Sequence, residues 1–374
     1  MRINNPGGKS FLGDAGKYSA AKYLLSLADS AFSLLFLFLL ARSGLSGAIG
    51  DGVRVFTSGN FLALPAYLLA VSVIYYIFSF PLNLYRTFIL EHKFRLSNQK
   101  IKDWALDQLK AGIIFYLISL LLFGAFYFIL GVNPRLWWAV MSAFWIFFSL
   151  ILSRLMPIII IPLFFKYKKI TDESLRGRII SLARRMKVGI LDVYEINFSK
   201  KTLKANAAFV GFGASKRVLL ADTLAQKYSH DEIEVILAHE FAHYKLKHLL
   251  KLICINSFST VITFYAMYKT SHSVLGWFGF SSLGDFAAMP VVLIYLLSLE
   301  LVMRPLLNYY SRRMEKNADI LALKATGSKD AFISMMEKLS SQNLSDTDPQ
   351  PLIKFFFFDH PPSSERIALA KSYK

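Results

Sequence analysis

Cysteine is almost missing from this chain: Cys254 stands alone among 374 residues. That excludes an intrachain disulfide and a cysteine-rich metal site. Cys254 lies in an apolar run, where a thiol reads as a small packing residue. Acidic residues are also scarce, 25 against 43 basic ones, for a formal charge of +18. There is no internal repeat, and the only low-complexity stretch is Phe355–Phe358. No cleavage signature follows the first apolar run, so that run is expected to be retained as a span.

Apolar residues are abundant: 55% of the chain is hydrophobic and 33 residues are Phe. A soluble protein with that much apolar surface would aggregate, so lipid is the expected solvent. The basic excess does not point to nucleic acid, because Lys and Arg sit mostly between the apolar runs, where they orient a chain in a membrane. Six runs are long enough to cross about 30 Å of hydrocarbon. They lie near Tyr23–Ala41, Phe61–Tyr85, Ala111–Leu130, Trp137–Phe165, Leu249–Tyr268 and Phe286–Met303. Pro157 and Pro162 are expected to kink the over-long fourth, and Trp137 and Trp138 suit an interfacial belt at its start. The N-terminal tail and 86–110 are basic, whereas 43–60, 131–136 and 269–285 are not, which puts both termini and the long 166–248 segment in the cytoplasm. Arg154 and Arg304 are read as snorkelling from helix ends; Asp29 and Glu300 face either an internal cavity or a neutral, hydrogen-bonded packing site.

Composition changes between Thr171 and Leu250. Asp172–Val188 has helical periodicity, Leu191–Phe198 and Asn206–Gly213 alternate like strands, and Arg217–Ala221 follows. Gly211 and Gly213 suggest a turn or a close backbone approach. Ser229 with Glu232 forms a capping box that announces a helix. That helix carries His239-Glu240-Phe241-Ala242-His243. On it the two imidazoles lie about 40° apart on one face, a spacing that lets both bind one tetrahedral metal ion. Glu240, beside them, can take a proton from a water activated there without being a ligand. The pattern is short enough to arise by chance as two surface histidines, so it needs a third ligand. His248, about 180° round a continuous helix from His239, is expected to be interfacial and outside the site. Glu315 is the better candidate, with Asp319 one turn on as acceptor for a ligand's ring N–H. The other reading of that pair is a solvated acidic face bridged to Arg312 or Lys316.

With these motifs the chain resembles the type I CAAX prenyl proteases, membrane zinc endopeptidases that cut prenylated proteins at the C-terminal tripeptide. The resemblance rests on Asn83-Leu84-Tyr85 through Leu90-Glu91, Asn206-Ala207 before Gly211 and Gly213, and Leu220–Leu224. It continues in the His-Glu motif, Ser311–Asp319, and His360-Pro361-Pro362 with Glu365-Arg366. It implies a mainly α fold: a polytopic bundle enclosing a water-filled chamber, with an α+β zinc protease part. It implies one zinc per chain, held by His239, His243 and Glu315, with Asp319 behind them. Glu240 is then the general base, and Asn206 marks an edge strand that holds substrate backbone. His360 and Arg366 approach the substrate, His360 as an oxyanion donor; by themselves they read as a loop residue and a helix-surface charge. The expected division is spans one to four with the tail (1–165), a cytoplasmic protease part (166–248), spans five and six (249–303) and a cytoplasmic C-terminal part (304–374).

Eukaryotic members of that family have seven spans. Counting six with a short N-terminus points to a prokaryotic inner membrane, the endoplasmic reticulum membrane being the alternative. The expected partners are membrane lipid and a peptide or protein substrate, prenylated or not. Other readings are an HtpX-like quality-control protease, a site-2-type intramembrane protease, and a non-proteolytic scaffold or translocon-clearing factor. Lys245 and Lys247 beside the motif argue against burial at a bilayer centre.

Overall fold

The computed structural model describes residues 8–57, 60–211 and 216–373. The membrane part begins with α1 (Gly8–Arg42), α2 (Leu45–Phe56) and α3 (Asn60–Leu84), which passes through a π-turn at Tyr85–Ile89 into α4 (Leu90–Lys93). It continues with α5 (Ile101–Val132), α6 (Trp137–Leu155), a second π-turn at Met156–Ile160, and α7 (Ile161–Phe164). Pro157 lies in that second turn; its missing N–H removes an i→i−4 bond, and the chain widens to i→i−5 instead of simply bending.

After β1 (Tyr167–Lys169) come α8 (Glu173–Arg185), β2 (Asp192–Ile196), β3 (Ala207–Val210), β4 (Arg217–Ala221) and α9 (Asp222–Ala225). Then follow α10 (His230–Lys245), α11 (His248–Phe278), α12 (Met289–Thr326), α13 (Lys329–Gln342), α14 (Pro351–Phe357) and α15 (Ser363–Ser372). Among the described residues, six helical stretches are long and apolar enough to span a membrane, and they fall on the six apolar runs. α12 is about 57 Å long at the usual rise, so one rigid element reaches from the last span into the protease part.

Several side chains differ from their sequence reading. The 43–60 connection contains α2, pinned by the Ser46 hydroxyl, which donates to the Ala287 carbonyl (2.5 Å). Trp137 is buried among Phe126, Phe264 and Tyr268 rather than in an interfacial belt. Cys254 is exposed, not packed, because an apolar run in lipid does not say which of its faces turns inward. Arg86 pairs with Asp29 (2.7 Å), and Arg304 with Glu300 one turn away (3.3 Å).

The protease part folds on a four-stranded sheet of order β1-β2-β4-β3. β2 and β4 run parallel, and the outer pairs are antiparallel. Among the described residues β3 is therefore an edge strand. Its Phe209 packs on Phe241 and Tyr244 of α10, with centroids 5.2 and 5.6 Å apart. Gly213 lies outside the described residues; Gly211, with φ of 98°, turns the chain at the end of β3. Asp172 caps α8 by accepting the Leu175 N–H (2.9 Å).

α10 starts at the foreseen capping box, in which the Ser229 and Glu232 side chains each accept a backbone N–H from the other residue. Glu232 also accepts from Ser334 (2.6 Å) and Lys338 (2.7 Å) of α13. Although burial works against its charge, those donors hold its carboxyl below the ordinary value. The face of α10 bearing Ile233, Leu237 and Phe241 is fully buried in a core that includes Leu220, Leu224, Ala318, Ala322 and Phe332. This packing joins α10 to α12 and sets where their polar residues meet.

Candidate metal centre

His239 and His243 project from α10 and Glu315 from α12, and their donor atoms converge. Nε2 of His239 is 3.0 Å from Nε2 of His243. Glu315 Oε2 is 3.1 Å from the first, and its Oε1 is 3.2 Å from the second. Tetrahedral ligands at ordinary zinc bond lengths are separated by about 3.3 Å. Glu315 is 4% exposed, yet its Oε2 has no hydrogen-bond partner among the described residues. A buried carboxylate oxygen without a donor, facing two ring nitrogens, makes a donor set short of a cation. These residues fit a metal ion.

Behind this set, Asp319 is fully buried and its Oδ1 is 2.8 Å from Nδ1 of His239. That contact commits Nδ1 to carrying the proton and leaves the Nε2 lone pair for an ion. Arg366, on α15, donates to both Asp319 oxygens, through Nε (2.8 Å) and Nη2 (2.5 Å). Burial disfavours a charged His239 ring, but Asp319 and Glu315 outweigh it and push its pKa up to about 9. Positive charge is thus favoured at this point, as a cation site requires. Burial also raises the Glu240 carboxyl above its ordinary value, opposed by the two histidines, which moves it toward the useful range for a base at neutral pH.

His360 reaches the site from the connection between α14 and α15. Its Nε2 lies 3.3 Å from Glu315 Oε1, and Nδ1 lies 2.8 Å from Asp359. Desolvation opposes its charge, but the Asp359 and Glu315 carboxylates hold it above the ordinary value. The Asp359-His360 adjacency was visible in the sequence, though its orienting role was not. The main chain here hangs from α12: Arg312 donates to the carbonyls of Lys354 (3.1 Å) and Phe358 (2.5 Å). Arg312 is therefore not a partner holding Glu315 on a solvated face. Asn206, exposed, sits just before the edge strand, and its carbonyl accepts the Ala221 N–H (3.0 Å).

His248 corrects the sequence reading. The helix does not run on into the fifth span: α10 ends at Lys245, and Lys247 adopts a left-handed φ of 56° before α11 begins. The break swings His248 back, so its Nδ1 lies 3.0 Å from Nδ1 of His243, and it is 2% exposed. Neither Gly nor Asn marks this turn, so no local signal announced it.

Comparison with protein families matches residues 169–374 to "Peptidase family M48" and residues 12–166 to "CAAX prenyl protease N-terminal, five membrane helices". Over the latter range the described residues carry four candidate spans. Among curated proteins, an "Uncharacterized metalloprotease YhfN" of Bacillus subtilis is 29% identical, covering 97% of this chain and 86% of that one. The "CAAX prenyl protease 1 homolog" of Arabidopsis thaliana is 28% identical over 92% of this chain and 82% of its own length. "CAAX prenyl protease 1" of Saccharomyces cerevisiae is also 28% identical, over 77% of this chain and 67% of its own length. The crystal structure of S. mikatae Ste24p superposes with a TM-score of 0.87 at 24% identity, covering 99% of this chain and 91% of that one.

Proposed function

The chain belongs to peptidase family M48 and is an integral membrane metalloendopeptidase, and from that premise we propose how its residues divide the work. His239, His243 and Glu315 hold one zinc ion. The observation that carries this reading is the convergence of their three donor atoms around an otherwise unpartnered carboxylate oxygen. Two imidazoles and one carboxylate form a usual catalytic zinc set. When bound, zinc supplies Lewis acidity and an acidified water. Glu240 takes the proton of the attacking water and delivers it to the leaving amine. His360, oriented by Asp359, offers Nε2–H to the developing oxyanion. Substrate backbone adds to the open edge of β3 beside Asn206. Arg366, whose Nε and Nη2 are already engaged by Asp319, acts behind His239 rather than on the substrate, which revises the role expected from the family resemblance.

The substrate proposed is a membrane-delivered peptide or protein, prenylated at a C-terminal CAAX sequence as in the relatives' names, and the catalytic end faces the cytoplasm. The distribution of Lys and Arg between spans supports that orientation. Labelling of Ser199→Cys, in a Cys254→Ser background, by an impermeant reagent applied outside intact cells would overturn it. For the chemistry, purified protein is assayed for zinc and for hydrolysis of a farnesylated CAAX peptide beside its unprenylated counterpart. Glu240→Gln should retain about one zinc and lose at least ~100-fold in kcat; full activity in that variant sinks the assignment. Cleavage of both peptides favours a broad quality-control protease, and cleavage of neither with zinc bound favours a scaffold.

A further inference from the structure

We propose that His248 is the positioning residue of His243: its Nδ1 accepts the Nδ1–H of the His243 ring and thereby commits His243 Nε2 to the metal ion. The inference rests on the reading of His243 as a ligand.

The two Nδ1 atoms are 3.0 Å apart, and the rings meet edge to face with centroids 4.9 Å apart. One proton lies between these nitrogens, so the pair has two arrangements. If His248 donated, a neutral His243 would carry its own proton on Nε2, the atom that faces Glu315 and His239. That arrangement blocks the lone pair a metal needs. If His243 donates, its Nε2 is free and His248 takes the Nε2–H form. Metal binding therefore selects the second arrangement. It is the same device that Asp319 provides for His239, with a neutral imidazole in place of a carboxylate.

The backbone is built to deliver this ring. On a continuous helix His248 would lie about 140° from His243. The left-handed turn at Lys247, a conformation disfavoured for a side chain of this kind, removes that separation. His248 is 2% exposed, and its Nε2 has no hydrogen-bond partner among the described residues. A polar ring buried at that cost, with one satisfied nitrogen, points to the contact that nitrogen makes.

The test compares His248→Asn with His248→Leu in the full-length purified protein. Asn carries an acceptor oxygen on Cγ, where histidine carries Nδ1; Leu carries none. Zinc affinity is read by competition with a chelator of known affinity, independently of turnover. We expect His248→Leu to weaken zinc binding by about 10- to 100-fold and His248→Asn to restore it to within a few-fold of the parent. If the Leu variant does not fold, His248→Phe, which fills the ring volume without an acceptor, takes its place with the same expectation. Equal affinities in the Asn variant and the acceptor-less variant would overturn the proposal, as would parental affinity in both. His243→Ala runs in parallel. If it keeps zinc, the ligand reading fails; if it loses zinc while His248→Leu does not, only the role of His248 fails.

Discussion

The two histidines of the proposed metal centre stand one turn apart on the same helix, but what stands behind each is different. Behind His239 is a fully buried carboxylate, Asp319, locked from its far side by the Arg366 guanidinium of α15. Behind His243 is the uncharged ring of His248, reached through a backbone break and tied to nothing further among the described residues. The first arrangement strengthens its ligand electrostatically and draws on α10, α12 and α15 at once. The second fixes an orientation only. An anion on both sides would over-stabilise protonated rings, which cannot bind metal, so a mixed pair suits a site that must release protons to load an ion.

The sharpest way to break this asymmetry is Asp319→Ala. It removes the acceptor for His239 and strands a buried guanidinium, with a cost of about 3–5 kcal/mol in stability and roughly 10- to 100-fold in metal affinity. Thermal unfolding and chelator competition measure the two effects separately; a change in only one would show that Asp319 serves a single purpose. Arg366→Met should cost less, about 1–3 kcal/mol, because Asp319 still faces His239. Its KM for a peptide should stay near the parental value, and a large rise in KM with unchanged metal affinity would return Arg366 to a substrate contact. Ser229→Ala loosens the start of α10 without touching either backing. Loss of that cap should cost about 1 kcal/mol and weaken zinc binding only slightly in a competition assay.

The smallest effect lies outside the site and depends on pH. Hydrogen bonds from Arg176 and Lys169 hold the Asp192 carboxyl well below the ordinary range. Its folded pKa is thus depressed, and its stabilisation is present above the unfolded value near 4 and is lost as pH falls through the folded value. Arg176→Ala should lower stability at neutral pH only slightly, since the Arg176 side chain is itself one-third exposed and Lys169 still pairs with the buried Asp192 carboxylate. Acid titration of the unfolding transition should then show a smaller drop below about pH 4 than in the parent. A steeper drop would mean that Asp192 is not the group responsible.

The spans were readable because a bilayer imposes a length and a composition on any helix crossing it. The start of α10 was equally plain, since a capping box is a local contract between residues three apart. The short helix α2 and the three-residue β1 escaped notice; both are held by contacts with distant segments rather than by a periodic pattern of their own. Glu315 was nameable from its helix register, with an alternative left open. Arg366 read as a surface charge from its residues and as a substrate contact from the resemblance, because its partnership with Asp319 spans two helices and leaves no spacing to find. His248 was misplaced for the plainest reason: a helical wheel assumes the helix continues, and nothing in Leu246-Lys247 says that it stops.

Sequence by itself therefore determined the solvent of each segment, the ring spacing of His239 and His243, and the presence of a carboxylate, Glu240, between them, all consequences of short-range geometry. Tertiary structure decided that Glu315 closes the donor set and that His248 turns inward. It also decided that Asp319 and Arg366 back one ligand but not the other. Those outcomes depend on burying α10 against α12 and α15, where packing energy overrides the local preference of a residue such as Lys247 for the right-handed helix.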